Sequence, residues 1–221
     1  MQTLTSTVGL GTSILELSLL NLKLYFLSLA RRPREANAGG KTHGSFFWKA
    51  STEGLIANSS SIHAGIRTRL AGFEDLTTDS ELGFALITTD DIDMMGPAGI
   101  AKAIRDHVKD RPCYLSFDID TIDPSMAPGT GTPESGGWST REVKRIMRGL
   151  AGINLVGADV VEVAPAYDTG AELTGFAAAD LIQDFMALFM HKGDNQAEPA
   201  VKGMQLNRKG RQAASPLHEE L

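Results

Sequence analysis

Short apolar segments of strand length alternate with segments of helix length over the middle of this 221-residue chain. The strand-like segments are residues 61–67, 114–120 and 155–163, and the helix-like segments are residues 97–110, 139–150 and 171–190. Strands that alternate with helices along a chain form parallel sheets flanked by helices. The alternation therefore predicts an α/β fold with a mostly parallel sheet.

Charge and cysteine content exclude several classes of protein. The net charge is −6, of which residues 41–190 hold −9, so nucleic acid is not expected as a partner. An acidic middle is compatible with a metal cation or a cationic substrate. The single cysteine, Cys113, can form neither an internal disulfide nor a cysteine zinc site.

The two ends of the chain differ from its middle. Residues 14–30 are leucine-rich, residues 31–41 are charged and glycine-rich, and the tail lacks apolar periodicity. The apolar run is slightly shorter than the ~18–20 residues of a membrane span and has no basic residue before it. We expect a buried or surface helix there, with a membrane anchor or a failed signal peptide as alternatives. The predicted division is an N-terminal segment of helix and linker (1–41), a folded domain (42–192) and a disordered tail (193–221).

Two carboxylates end the predicted strand 114–120, within Ser116-Phe-Asp-Ile-Asp120. Because alternate side chains of a strand share a face, Asp118 and Asp120 are expected on one face, about 6.6–7 Å apart. Such a pair at the carboxyl end of a strand can converge on one or two metal ions. Without a cation or solvent the two charges would repel each other and resist burial. The alternative is an exposed polar strand end.

The loop that follows, residues 123–138, is rich in glycine, proline and hydroxyl side chains. Loops after strands commonly carry function in α/β folds. No Gly-Lys-Ser/Thr follows its glycines, and Gly129-Thr-Gly131 lacks the third glycine of a dinucleotide-binding turn. Nucleotide binding is therefore not expected.

The segment that begins at Ser116 resembles the second signature of the ureohydrolases, the family of arginases and agmatinases. It reads Ser-Phe-Asp-Ile-Asp-Thr-Ile-Asp-Pro-Ser-Met-Ala-Pro-Gly-Thr-Gly-Thr-Pro-Glu-Ser-Gly-Gly, and its Ala-Pro-Gly-Thr-Gly-Thr-Pro is most similar to agmatinases. The likeness continues in His43-Gly-Ser-Phe-Phe, Ile62-His-Ala-Gly-Ile-Arg-Thr and Gly157-Ala-Asp-Val-Val-Glu-Val-Ala-Pro-Ala-Tyr-Asp168, over roughly residues 42–192. It implies an arginase-like three-layer sandwich, truncated at its N-terminal half.

The resemblance implies a dimanganese site in which a metal-bridging hydroxide attacks a guanidinium carbon, releasing urea and an amine such as putrescine. By motif, Asp118 resembles the carboxylate that bridges both metals, and Asp120 the carboxylate on the second metal. His43 resembles a proton-shuttling histidine, with an ordinary loop histidine as the alternative. Glu162 resembles the carboxylate that binds the guanidinium, and Thr132 a hydroxyl near the substrate.

Four of the family's six metal ligands come from an earlier histidine and an Asp-Ala-His-x-Asp cluster, which this sequence lacks. None of its histidines lies in such a context: His43, His63, His107, His191 and His218. Residues 1–41 do not resemble the family's first half, so the strands that should pair beside residues 61–67 and 114–120 are expected to be absent. The sheet would then keep an open edge. Asp159 is left open between a role that supports the metal ligands and one that caps a helix.

Three hypotheses follow. The first is an agmatinase-like ureohydrolase acting on a small guanidino compound, agmatine above others, with two manganese ions in the family but one or none here. The second is a non-catalytic interaction protein that keeps the C-terminal half of the fold, and the third is a membrane-associated fragment that uses residues 14–30. A homo-oligomer is the partner expected from the family, and the compartment is left open between cytoplasm and mitochondrion.

Overall fold

The structure is a computed structural model that describes residues 6–8, 23–26, 46–57, 59–68 and 74–191. Its strands are β1 (Ser6–Val8), β2 (Lys23–Phe26), β3 (Ser61–Ile66), β4 (Phe84–Thr88), β5 (Cys113–Asp118) and β6 (Leu155–Val161). Its helices are α1 (Phe46–Thr52), α2 (Glu74–Glu81), α3 (Asp91–Val108), α4 (Thr140–Gly149) and α5 (Leu173–Met190).

The six strands form one sheet in the order β1-β6-β5-β2-β3-β4. Every neighbouring pair is parallel except β1 and β6, which are antiparallel. This arrangement confirms the predicted α/β fold with a mostly parallel sheet. Its carboxyl edge gathers the ends of β3, β5 and β6, and ligands of α/β proteins bind at such edges.

Different helices cover the two faces of the sheet. Phe117 of β5 is buried in the main hydrophobic core together with apolar side chains of α3, α4 and α5. His63 of β3 lies on the opposite face, where its ring stacks on Phe84 and forms a 3.0 Å hydrogen bond with the carboxyl group of Asp79 of α2. Phe84 packs there with Phe47 of α1. The sheet is thus the middle of three layers.

The position of β2 corrects two expectations about the N-terminal segment. A helix is expected over residues 14–30, but residues 23–26 form a strand that pairs with both β3 and β5. The N-terminal segment itself therefore supplies a parallel neighbour for β3 and β5, where an absent strand is expected. A short apolar run is compatible with a helix or with a strand buried on both faces, and periodicity alone does not separate the two. The rest of the run lies outside the described residues.

Other boundaries differ from the predictions by a few residues. Helix α3 begins at Asp91 rather than at residue 97, because two helical stretches join across Gly96, whose φ of 64° breaks the helical geometry. Helix α4 begins as predicted, with a capping box between Ser139 and Glu142. Helices α1 and α2 and strand β4 were not foreseen. The linker 31–41 and the tail 193–221 lie outside the described residues.

Helix α5 is long and apolar enough to cross a membrane by length and composition alone. Core helices of soluble proteins can have the same length and apolar composition. In α5, Leu181, Phe185 and Leu188 are buried in the main core. For the alternative of a membrane anchor at residues 14–30, the strand at residues 23–26 rules out one continuous helix. The division of the chain into three segments stays a prediction.

A proline in β2 should test its central place in the sheet. The N–H groups of a strand with neighbours on both sides bond to the sheet, so Leu24→Pro removes a ladder hydrogen bond. We expect the melting temperature to fall by about 6–12 °C, measured by circular dichroism. Thr7→Pro in the edge strand β1 is the control and should cost less. Equal melting temperatures for Leu24→Pro and the unmodified chain would contradict the central position.

Candidate metal and substrate site

The predicted carboxylates lie where β5 ends, but not as alternate residues of one strand. Strand β5 ends at Asp118, and a 3-10 turn (Ile119–Thr121) carries Asp120 out of the strand direction. The Asp118 carboxylate accepts a 2.9 Å hydrogen bond from the backbone N–H of Asp120. Aspartate side chains commonly bond the backbone two residues on, which favours a turn over a continuing strand. The expected shared strand face is therefore wrong, although the two carboxylates remain adjacent.

Two threonine hydroxyls of the following loop hold Asp120. The Thr132 hydroxyl donates to Oδ2 at 2.6 Å, and the Thr130 hydroxyl donates to Oδ1. The side chain of Asp120 is buried, so these bonds replace the water that a carboxylate would otherwise bind. Thr132 was predicted to lie near the substrate, and it lies beside a predicted metal ligand. Thr130 was not predicted as a site residue. It lies two residues before Thr132 in the same motif and bonds to the same carboxylate.

Burial disfavours the ionised form of both carboxyl groups. Burial, and after it the neighbouring charge of Asp120, raises the pKa of Asp118 well above its usual range, and Glu162 adds to this shift. Burial also raises the pKa of Asp120, while its bonds from Thr130 and Thr132 oppose the shift. A positive charge between such groups would favour their ionised forms. The electrostatics therefore suit a cation.

Arg67, which follows β3, supplies one positive charge beside the pair. Its Nη2 donates to the backbone carbonyl of Asp120 at 2.8 Å and also bonds to the carbonyl of Glu134. Its single Nε–H is shared between the carbonyls of Glu134 and Ser135, with N···O distances of 3.0 and 3.1 Å. A guanidinium with several donors can fix two separate backbone segments at once. Arg67 thus ties the Asp120 turn to the later part of the loop, a role that sequence reasoning did not assign.

Glu162 lies at the same edge, one residue after β6. Its φ of 61° is unusual for a residue other than glycine, and such conformations collect at functional sites. Its backbone carbonyl oxygen lies 3.1 Å from the Thr130 hydroxyl oxygen and shares the single proton of that hydroxyl with Asp120. The N–H of nearby Ala164 donates to the Gly129 carbonyl at 2.7 Å. The loop thus joins the ends of β5 and β6. Asp118, Asp120, Thr132 and Glu162 thus lie at one edge of the sheet, and the roles that the resemblance implies for them stay predictions.

A second set of bonds anchors the loop to the start of α5. Asp168 accepts hydrogen bonds from the backbone N–H groups of Thr169, Thr174 and Gly175 and from the Thr174 hydroxyl. The Thr174 hydroxyl in turn accepts a 2.7 Å bond from the N–H of Gly129. Burial alone would raise the pKa of Asp168, but these bonds lower it. Ionised Asp168 therefore holds together the loop and the first turn of α5.

The remaining predicted residues have other places. His43 lies outside the described residues, so its predicted role as proton shuttle stays a prediction. Asp159 caps no helix; it accepts a 2.8 Å bond from the Tyr114 hydroxyl within the sheet. Among the described residues, no group of three or more histidine, cysteine, aspartate or glutamate side chains could hold a metal ion. His63, bonded to Asp79, is not part of the site.

The donor set therefore does not fit a manganese pair. Two carboxylates can bind one divalent cation, with an affinity limited by the small number of oxygen ligands. Both oxygens of Asp120 and one of Asp118 already accept hydrogen bonds from the chain. A metal pair would need further ligands from outside the part of the chain that the structure describes.

Comparison with known proteins identifies the family. Residues 31–188 match the sequence model of the arginase family. The chain belongs to the arginase family. It is 53% identical over 156 residues to a predicted agmatinase of Schizosaccharomyces pombe, a match that covers 71% of this chain and 39% of that protein. It is 41% identical to the agmatinase of Enterobacter, over 68% of this chain and 46% of that one.

Solved structures of the arginase family share the fold. A hypothetical agmatinase from Burkholderia thailandensis is 39% identical with a TM-score of 0.67, over 77% of this chain and 51% of that one. The proclavaminate amidino hydrolase of Streptomyces clavuligerus is 32% identical with a TM-score of 0.68, over 78% and 56%. The chain thus spans less than half the length of the curated relatives above and just over half of these structures. The predicted arginase-like sandwich, truncated relative to its relatives, is confirmed.

Two glycines of the site loop should respond differently to an added methyl group. A Cβ at Gly137 would lie 2.5 Å from the backbone N of Asp123 and 2.7 Å from the carbonyl carbon of Ile122, and neither can move freely. We expect Gly137→Ala to lower the free energy of unfolding by about 1–3 kcal/mol, measured by denaturant titration. At Gly131 a Cβ would meet no atom within 4 Å, so Gly131→Ala should change it by less than about 0.5 kcal/mol. Similar losses in both variants would contradict this account of the loop.

Proposed function

We propose that this chain carries the C-terminal half of an agmatinase-type ureohydrolase site, and that it hydrolyses a guanidino compound, agmatine first, only when further metal ligands complete that site. The proposal rests on one observation: Asp118, Asp120 and Glu162 lie close together at one edge of the sheet. The predicted agmatinase of S. pombe and the agmatinase of Enterobacter, both more than 40% identical to the chain, support the same reaction class.

Asp118 and Asp120 are the proposed metal-binding residues. They are buried, adjacent and supported by hydroxyl and backbone donors, so their position is fixed before any ion binds. Carboxylate oxygens suit hard divalent cations such as Mn²⁺. Because the described residues offer two carboxylates, we expect one weakly held ion, and a pair only with ligands supplied from elsewhere.

Glu162 is the proposed partner of the substrate guanidinium. Its backbone is held by the Thr130 hydroxyl, and its carboxylate is close enough to Asp118 to raise the pKa of that group. A fixed carboxylate can accept two parallel hydrogen bonds from a guanidinium group. Thr132, bonded to Asp120, stays a prediction as a hydroxyl near the substrate.

The incomplete ligand set favours a second candidate function. A chain that keeps the fold but holds no metal pair would act through its surface, as a non-catalytic interaction protein. The observation behind this candidate is that the described residues contain no group of three or more metal-ligating side chains. The membrane-associated candidate loses its support over residues 23–26, which form a central strand.

Manganese stoichiometry and urea release, measured on one purified sample, should separate the two functions. For the chain alone we expect at most one Mn²⁺ per chain, weakly bound, and no urea from agmatine. Asp118→Asn together with Asp120→Asn should abolish that binding, whereas Asp106→Asn, at an exposed site on α3, should leave it unchanged. Manganese binding that survives the double substitution would place the metal elsewhere. If urea release is still absent after a protein that supplies the missing metal ligands is added, the result would favour the non-catalytic interaction protein.

A conservative change at Glu162 should test its role toward the guanidinium. Glu162→Gln keeps the size of the side chain but removes its charge, so agmatine affinity should fall at least about tenfold by calorimetry while the fold persists. Glu172→Gln is a matched control, because Glu172 also has a positive φ, of 55°, and its side chain makes no cap hydrogen bond. Equal agmatine affinity in Glu162→Gln and the unmodified chain would remove Glu162 from the proposed site.

A further inference from the structure

A surface cleft of about 300 Å³ lies between α4 and α5, and none of the carboxylates of the candidate site lines it. All of its lining residues are polar or charged: Thr140, Arg141, Lys144, Arg145, Arg148 and Asp180. Four positive charges against one negative leave a net charge of +3, in a chain whose net charge is −6. The cleft is thus a local exception to the acidic character of the molecule.

Helical spacing places the cationic side chains together. Lys144 and Arg145 lie three and four residues after Arg141, and four and three residues before Arg148, so the four side chains lie on one side of α4. The opposite side of α4 faces the core through Val143, Ile146 and Met147. Since like charges at this spacing repel one another, the cluster raises the free energy of the helix unless an anion is near.

Few of these cations have partners in the chain. Lys144 forms an ion pair with Asp180 of α5. The carboxyl group of Asp184, also on α5, lies close enough to Lys144 and Arg148 for their charges to oppose the rise in its pKa that burial causes. Within the described residues, the guanidinium groups of Arg141 and Arg145 have neither a hydrogen-bond acceptor nor an ion-pair partner. Guanidinium groups match the oxygens of phosphates and carboxylates in pairs of parallel hydrogen bonds. The cleft therefore has unused donors suited to an oxyanion.

The size of the cleft limits its ligand. Ligand pockets in proteins begin at about 300 Å³, so the cleft accommodates a small ligand rather than a long chain. Its lining contains no apolar side chain that would select a hydrophobic body. We propose that this cleft binds a small oxyanion, through a phosphate or carboxylate group held by Arg141, Arg145 and Arg148. Asp180 competes with that ligand for Lys144.

This competition gives the proposal a test of defined sign. Asp180→Asn removes the competing carboxylate, so phosphate affinity should rise several-fold, measured by calorimetry on the full chain at constant ionic strength. Asp106→Asn is the matched control, because Asp106 forms an equivalent exposed ion pair with Lys102 on α3, outside the cleft. It removes the same charge from the molecule and should leave phosphate affinity unchanged.

Removal of donors should have the opposite effect. Arg145→Ala with Arg148→Ala should weaken phosphate binding at least about tenfold, whereas Lys102→Ala with Lys109→Ala should not. Titration with succinate in place of phosphate shows which oxyanion the cleft prefers, and tighter binding of either one supports the proposal. Binding that does not saturate, or that changes equally in cleft and control variants, would overturn it. The result is independent of the candidate metal site, since no residue of that site lines the cleft.

Discussion

The cost of burying two neighbouring carboxylates at the end of β5 governs the construction of this edge of the sheet. Asp118 and Asp120 are each less than a tenth exposed, and burial of unpaired carboxylates is costly. The chain offsets that cost with hydroxyl donors from Thr130 and Thr132, a backbone N–H and the nearby charge of Arg67. These groups come from the turn that holds Asp120, from the loop after it and from the end of β3, so the carboxylates and the loop around them depend on one another.

The loop after β5 is ordered by carboxylates as well. Asp123 accepts hydrogen bonds from the Ser125 hydroxyl and from the backbone N–H groups of Ser125, Gly136 and Gly137, and together these bonds lower its pKa to about 2. Asp168 does the same at the start of α5 and, through Thr174, at Gly129. A segment without regular secondary structure is thereby fixed at both ends. Its position then determines where the Thr130 and Thr132 hydroxyls meet Asp120.

Local patterns predicted the parts of this structure that depend on neighbours in sequence. The capping box of Ser139 and Glu142 and the strands at residues 61–67 and 155–163 were readable because their signals lie within a few residues. Strand β2 was not readable from the sequence, because a short apolar run forms a strand only where two other strands leave space between them. Local patterns do not predict contacts between residues that are distant in sequence, such as the hydrogen bond between His63 and Asp79 and the bonds of Arg67.

The relation between fold and chemistry in this chain follows from β2. With β2 between β3 and β5, the carboxyl ends of β3, β5 and β6 share one continuous edge, and Arg67, Asp118 and Glu162 can act on a common point. Asp118 and Glu162 therefore reach one edge of the sheet on strands that the described part of the chain supplies. Metal affinity, however, depends on the number of ligands rather than on the quality of two of them. In the proposed function, the sheet thus fixes the positions of Asp118, Asp120 and Glu162, whereas the affinity for a metal pair depends on ligands beyond the described residues.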